Sequence, residues 1–232
     1  MSPDTHFYGE HPTFHVAVDC IIFGFDQSEL KLLIHKRRFE PAMGQWSLFG
    51  GFVQKDESLD AAANRILYEL TGLDNIYMEE LQTYGEIDRD PAGRVISLAY
   101  YALIPAKKYS EATNNQGGAT WVSLDKLPLL IMDHNLMVKK GLRRLRRRAS
   151  TQPLGFELLP REFTMPQLQA LYEAIYQSTL DKRNFRKKIF SMDVLIKLDE
   201  KDMTSSRKGA FLYRFDKKKY KKMVDGGDNF TI

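Results

Sequence analysis

Through the first 130 residues, apolar positions come in short β-type runs broken by turn residues, and only one stretch switches to a helical period. Val16–Phe23 and Leu30–Ile34 read as paired strands around the turn Phe25–Glu29. Trp46–Phe49 leads into Gly50-Gly51. Leu81–Ile87 and Val95–Ile104 are strand-like on either side of the turn cluster Asp88–Gly93, and Ala119–Leu124 follows the Asn114–Gly118 loop. Between Ser58 and Leu70 the pattern changes: Leu59, Ala62, Ala63, Ile66 and Leu70 fall on one helical stripe, and Gly72 is placed to cap its end.

After Pro128 the helical period dominates. Asp133 is positioned to cap a helix running to about Arg148, with Val138, Leu142 and Leu145 inward. Thr164-Met165-Pro166-Gln167 combines an N-cap, an early proline and a capping-box glutamine. Leu168, Leu171, Tyr172 and Ile175 give that helix its apolar face. A shorter helix can start at Asp181 with Phe185 and Ile189 inward. Met192–Leu198 and Ala210–Phe215 then alternate as two strands around a turn carrying Arg207, Lys208 and Gly209. Three helices followed by a β-hairpin is the order of a winged helix.

Composition sharpens this division. From His134 onward, 23 Lys and Arg face 11 Asp and Glu, a net +12, whereas the preceding residues carry −8 of the total +4. A basic second half points to a polyanion as its partner and favours a nucleic acid without naming which. No apolar run reaches the ~20 residues of a membrane span. The polar opening Met1–Glu10 lacks a signal core, and Cys20 is alone. The expectation is a cytoplasmic protein with an inert thiol, no cofactor and no membrane contact.

Gly51, Glu57, Arg65, Glu69, Gly72 and Leu73 stand at the spacing of the Nudix box, and the segment 51–73 resembles it. In Nudix hydrolases the box helix gathers carboxylates that hold Mg²⁺ against a diphosphate. Here two of those positions are Ile66 and Leu70, so the resemblance implies a Nudix domain without its catalytic carboxylates. Arg65 and Glu69 then read as an i, i+4 ion pair. The segment Tyr84–Ser97 is similar to the ADP-ribose-related Nudix branch. With the tail, the chain over about residues 12 to 220 resembles the Nudix-related transcriptional regulators. Some of these respond to ADP-ribose (the NrtR type) and others to arabinose (the AraR type).

The resemblance implies an α+β chain: an N-terminal Nudix α/β/α sandwich with a mixed sheet, and a C-terminal winged helix-turn-helix domain. The expected division is 1–133 for effector sensing, 134–149 as linker or first helix of the second domain, and 150–232 for DNA binding. Lys182, Arg183, Asn184, Arg186 and Lys187 on the second helix of the helix-turn-helix are the candidates for the major groove. Arg207 and Lys208 suit the wing. The run Arg143–Arg148 offers either phosphate contacts or a solvated linker face, and Lys217–Lys222 reads as a solvated charged end. An effector site over the sheet near the box helix would draw on Lys36, Arg38, Trp46, Arg65, Glu69 and Glu86. Loss of the box glutamates tilts the effector toward a sugar such as arabinose. The expected function is a homodimeric repressor on a palindromic operator. The rivals are an NrtR-type ADP-ribose-responsive regulator of NAD metabolism, an active pyrophosphohydrolase of ADP-ribose-like substrates, and a Nudix-fold module binding RNA or protein.

Overall fold

The computed structural model describes residues 9–109, 118–154, 158–203 and 209–226. Most of the Asn114–Gly118 loop, and the wing cations Arg207 and Lys208, lie outside the described residues. Strand β1 (His15–Phe25) organises the first domain. Along one edge it runs parallel to β6 (Val95–Pro105), in register from His15 opposite Val95 to Phe25 opposite Pro105. Its other edge is shared by β4 (Phe49–Phe52) and β2 (Leu30–Lys36), both antiparallel. β3 (Trp46–Ser47) and β7 (Ala119–Ser123) add to β2, and β5 (Glu79–Tyr84) closes the far edge. The seven strands form one mixed sheet.

Successive side chains of β1 alternate between two cores, as a pleated strand requires. Val18, Cys20 and Ile22 pack with Phe49 against Ala62, Ala63, Ile66 and Leu67 of α1 (Leu59–Thr71). The Ser58 hydroxyl accepts from Ala61 N at 3.2 Å to start this helix, and Gly72 ends it in the left-handed region at φ 71°. The buried stripe is rotated from the expected one. Leu59 is 38% exposed, and Leu67 takes its place inside.

Ile21, Phe23 and Phe25 face the other way, toward α2 (His134–Thr151), where Met137, Val138 and Leu145 are buried. That core continues without a break into Leu168, Tyr172 and Ile175 of α3 (Met165–Tyr176) and Phe185 and Ile189 of α4 (Lys182–Ser191). Helix α2 is therefore packed on the sheet at one side and on the second domain at the other. Three arginines of its basic run hold this position. Arg144 donates to Leu81 O at 3.3 Å, Arg146 to Ile175 O at 3.0 Å, and Arg148 pairs with Glu79.

The second domain has α3, α4 and a three-stranded sheet in which β10 (Ala210–Phe215) lies between β8 (Phe163–Thr164) and β9 (Leu195–Asp202). Thr164 and Gln167 make the reciprocal capping box expected of them, an arrangement worth roughly 0.5–2 kcal/mol. β9 begins three residues later than the pattern suggests, because Asp193 turns the chain at φ 50° after α4. The lysine tail, expected to be a solvated charged end, is a helix, α5 (Lys217–Asp225), with its lysines exposed. Asp216 caps it by accepting from Lys218 N and Lys219 N, while Tyr220 and Met223 rest on the core. None of the described helices is long and apolar enough to cross a membrane.

Candidate functional site

A cavity of about 400 Å³ opens beside β1, β2 and β4 and is floored by α1. This volume lies within the ~300–1,000 Å³ of small-molecule sites. Three of the six effector candidates line it: Arg38, Arg65 and Glu69. Lys36 and Trp46 lie elsewhere, the ammonium 5.4 Å from the indole, because side chains of β2 at positions 35 and 36 point to opposite faces. Glu86 lines a separate cavity near α2. Sequence reasoning missed Asp19, His35, Arg37, Arg89 and His134, which β1, the end of β2, the Asp88–Gly93 turn and the start of α2 bring to the wall. Only the Arg-Asp-Pro sequence in that turn marked the region.

The floor explains the altered box. Ile66 and Leu70 line the cavity where the resemblance places carboxylates, and Ile66 is 3% exposed. Glu57 is turned to another task. Both its oxygens accept from Arg65, at 2.9 Å from Nε and 2.6 Å from Nη2, and Gln54 N donates to it at 2.8 Å. Arg65 is the main reason its carboxyl is held down at about 2. Arg65 also reaches Phe52 O and pairs with Glu69 at 3.2 Å, the i, i+4 pair the spacing predicts. Together these contacts staple the box loop to the helix. Among the described residues no group of three His, Cys, Asp or Glu is placed to hold a metal ion.

The deep wall is a charged network. Asp19 is 6% exposed and accepts from Ser97 Oγ at 2.6 Å. The Arg89 guanidinium lies 3.5 Å from Asp19 and donates to both oxygens of Asp133, at 3.0 and 2.9 Å. Asp133 is the N-cap residue of α2 but makes no side-chain cap bond, because Arg89 occupies its carboxylate. Leu48 N donates to His134 Nδ1 at 3.1 Å, so the ring proton sits on Nε2, 3.5 Å from Asp19. Burial pushes both His134 and His35 below the usual imidazole range. With both rings neutral, four arginines (37, 38, 65 and 89) face three carboxylates (Asp19, Glu69 and Asp90) around the cavity. Nε of Arg37 is buried without a hydrogen bond among the described residues, and its guanidinium stacks 4.0 Å from the Phe39 ring.

In the second domain, α4 presents Lys182, Arg183, Asn184, Arg186 and Lys187 to solvent, opposite the buried Phe185 and Ile189. Asp181 starts the helix by accepting from Asn184 N at 2.8 Å. Five exposed polar side chains on a short helix, preceded in sequence by α3 and packed against it, match the form of a recognition helix.

The family model of the NUDIX domain matches residues 13–144, and that of the NrtR DNA-binding winged helix domain matches 155–215. A relative from Acinetobacter baylyi described as an ADPR responsive transcriptional repressor, NtrR, is 34% identical over 89% of this chain and 84% of its own length. The crystal structure of Shewanella oneidensis NrtR complexed with a 27mer DNA superposes with a TM-score of 0.74 and 28% identity, covering 93% of this chain and 97% of that one. The NUDIX domain of the same Shewanella protein, in a cocrystal structure with ADP ribose, matches with a TM-score of 0.51 and 30% identity over 59% of this chain and 91% of its own. With both domain models matched in order and a repressor relative spanning nearly the whole chain, this protein belongs to the NrtR family of transcriptional regulators, a NUDIX domain joined to a DNA-binding winged helix.

Proposed function

We propose that this chain is a DNA-binding repressor released by ADP-ribose, with the effector held in the arginine-rimmed Nudix cavity without metal and without hydrolysis. The observation that carries the reading is Arg37 on the cavity wall, whose buried Nε–H has no partner among the described residues, whereas Arg65 and Arg89 are already paired with Glu57 and Asp133. An unmet buried donor costs roughly 1–3 kcal/mol, which an anionic oxygen placed there would recover. A diphosphate supplies such oxygens; a neutral pentose does not. This favours ADP-ribose over the arabinose effector to which the missing glutamates pointed, and the arabinose branch gains no support from the relatives. The ADP-ribose response of the Acinetobacter repressor and the ADP-ribose bound to the Shewanella NUDIX domain agree with this choice. Ile66 and Leu70 on the floor, with Glu57 committed to Arg65, leave the site short of the oxygen ligands a hard cation needs.

Binding as a homodimer would place two α4 helices on the half-sites of a palindromic operator. The test is a titration of the full chain against duplex DNA from upstream of its own gene, with ADP-ribose, arabinose or neither. The expected result is selective, salt-sensitive binding that ADP-ribose weakens and arabinose leaves alone. Release by arabinose instead, or Mg²⁺-dependent cleavage of ADP-ribose at enzymatic rates, would overturn the effector or the non-catalytic part respectively.

A further inference from the structure

The network at the deep wall has a feature that ligand binding alone does not require. Arg89 belongs to the β5–β6 turn, yet its guanidinium, 3% exposed, joins Asp19 on β1 to Asp133 at the start of α2. Arg89 lines the effector cavity on one side. On the other it lines a second cavity of about 490 Å³ together with Asp133, Leu136 and Lys140 of the α2 region. The same side chain is thus the partition between the effector cavity and the helix that carries the winged domain. The chain entering α2 is itself held in an unfavourable form. Met132 lines the cavity at φ 49°, in the left-handed region where a Cβ is crowded. It is fixed there between Ile131 N, which donates to Trp46 O at 2.9 Å, and the Arg89–Asp133 pair.

Resting on the ADP-ribose reading above, we propose that the Arg89–Asp133 ion pair is the latch that couples the effector cavity to the DNA-binding domain. An anionic oxygen of the effector and the Asp133 carboxylate compete for one guanidinium. Once released, Asp133 has a second place to go. It already occupies the N-cap position without a side-chain cap bond, and because the N–H groups of His134, Leu136 and Met137 are bonded to backbone carbonyls, Asn135 N is the first-turn donor left for it. One carboxylate with two mutually exclusive partners gives the two discrete arrangements that a switch needs. The left-handed strain at Met132 favours leaving the latched form. Any shift at the start of α2 is carried along its 18 residues to Arg146, whose bond to Ile175 O ties the helix to α3. The reorientation of the winged domains therefore begins at Asp133.

The test uses the full chain, a labelled duplex from upstream of its own gene, and ADP-ribose, with calorimetry reporting ADP-ribose binding separately. Wild type is expected to lose at least ~10-fold in duplex affinity at saturating ADP-ribose, within the usual span of allosteric coupling. Asp133→Asn is expected to bind ADP-ribose about as well as wild type or better. Without effector it should bind the duplex about as weakly as ADP-ribose-saturated wild type, with under ~2-fold further response. Met132→Gly relieves the strain of the latched form and should move the opposite way, keeping duplex affinity and raising the half-releasing ADP-ribose concentration about threefold. Asp133→Asn with wild-type duplex affinity and a full response overturns the latch. If that variant fails to bind ADP-ribose at all, Met132→Gly decides, and an unmoved midpoint overturns it equally. A wild-type protein that binds ADP-ribose yet keeps its duplex overturns the repressor reading itself, and the latch with it.

Discussion

Gly51→Ala tests how the altered box is packed. Gly51 lies on β4 directly over α1, and a Cβ placed there would sit 2.9 Å from Ile66 Cδ1 and 3.3 Å from Ile66 Cγ1. Carbon atoms in contact prefer about 3.5–4.0 Å, so something must move. Ile66 cannot swing aside easily. Its one favoured χ1 in a helix fixes Cγ1, and a turn of Cδ1 about χ2 has to find room in the core, where Ile66 is 3% exposed. The alanine should therefore cost about 1–3 kcal/mol, the usual range for overpacking. Ile66→Val removes the offending Cδ1 and alone should cost about 0.5–1.5 kcal/mol. In the double variant the added methyl occupies the space Cδ1 vacated, so the two losses should fall short of additivity by about 1 kcal/mol. Urea unfolding followed by tryptophan emission reads this out, since Trp46 and Trp121 both lie in the sheet of this domain. Strict additivity, or a neutral Gly51→Ala, would refute the picture of Ile66 as a hydrophobic peg locked under the box glycine.

Three further outcomes are expected. Replacing Lys182 and Lys187 with alanine should make the salt dependence of duplex binding shallower by about 0.9 in log–log slope for each phosphate no longer neutralised. An unchanged slope would remove those residues from the interface. Burial depresses the imidazoles of His134 and His35, so the unfolded chain takes up protons that the folded one refuses once pH falls below the ordinary value of 6.5. Stability present above that pH should decline as the pH falls below 6.5, with a shallower decline in His134→Gln; a melting temperature that stays flat below 6.5 contradicts the neutral, buried assignment. Cys20 is fully buried, and burial followed by the neighbouring Asp19 pushes its thiol up, so a disulfide reagent should label it only after unfolding.

Most elements were legible because their signals are local. The alternation of β1 and β2, the Ser58 and Thr164 caps and the Gly72 stop all act within a few residues, and each element lies close to its expected place. The α5 helix escaped because its lysine-rich sequence looked like a charged tail, and its order depends on Asp216 and on Tyr220 meeting a distant core. The expected cap of Asp133 failed for the same kind of reason. Its competitor, Arg89, lies 44 positions back in the chain, and no local rule weighs a buried guanidinium against a helix terminus. The cavity wall was legible only in part. Arg65 and Glu69 follow from the box, but the alternation that sends Lys36 to the opposite face from His35 decides which neighbours of the first strands reach the cavity.

The substitutions in the box and the arginines on the wall are two halves of one change in charge. A carboxylate helix that holds Mg²⁺ creates a field suited to a cation first and to a diphosphate only through that cation. Removing two carboxylates without compensation would leave an apolar hollow that a diphosphate has no reason to enter. Here the surviving Glu57 is neutralised by Arg65, Asp19 is held by Ser97 Oγ beside Arg89, and Arg37 and Arg38 approach from β2's end. On the function proposed above, the cavity exchanges metal-mediated attraction for direct attraction. The two modes need opposite local charge, so one cavity cannot be optimised for both hydrolysis and metal-free capture. For a switch that exchange has a physical advantage: a ligand that is held but not cleaved keeps its differential affinity for the two placements of α2, and only that difference can move the winged helix.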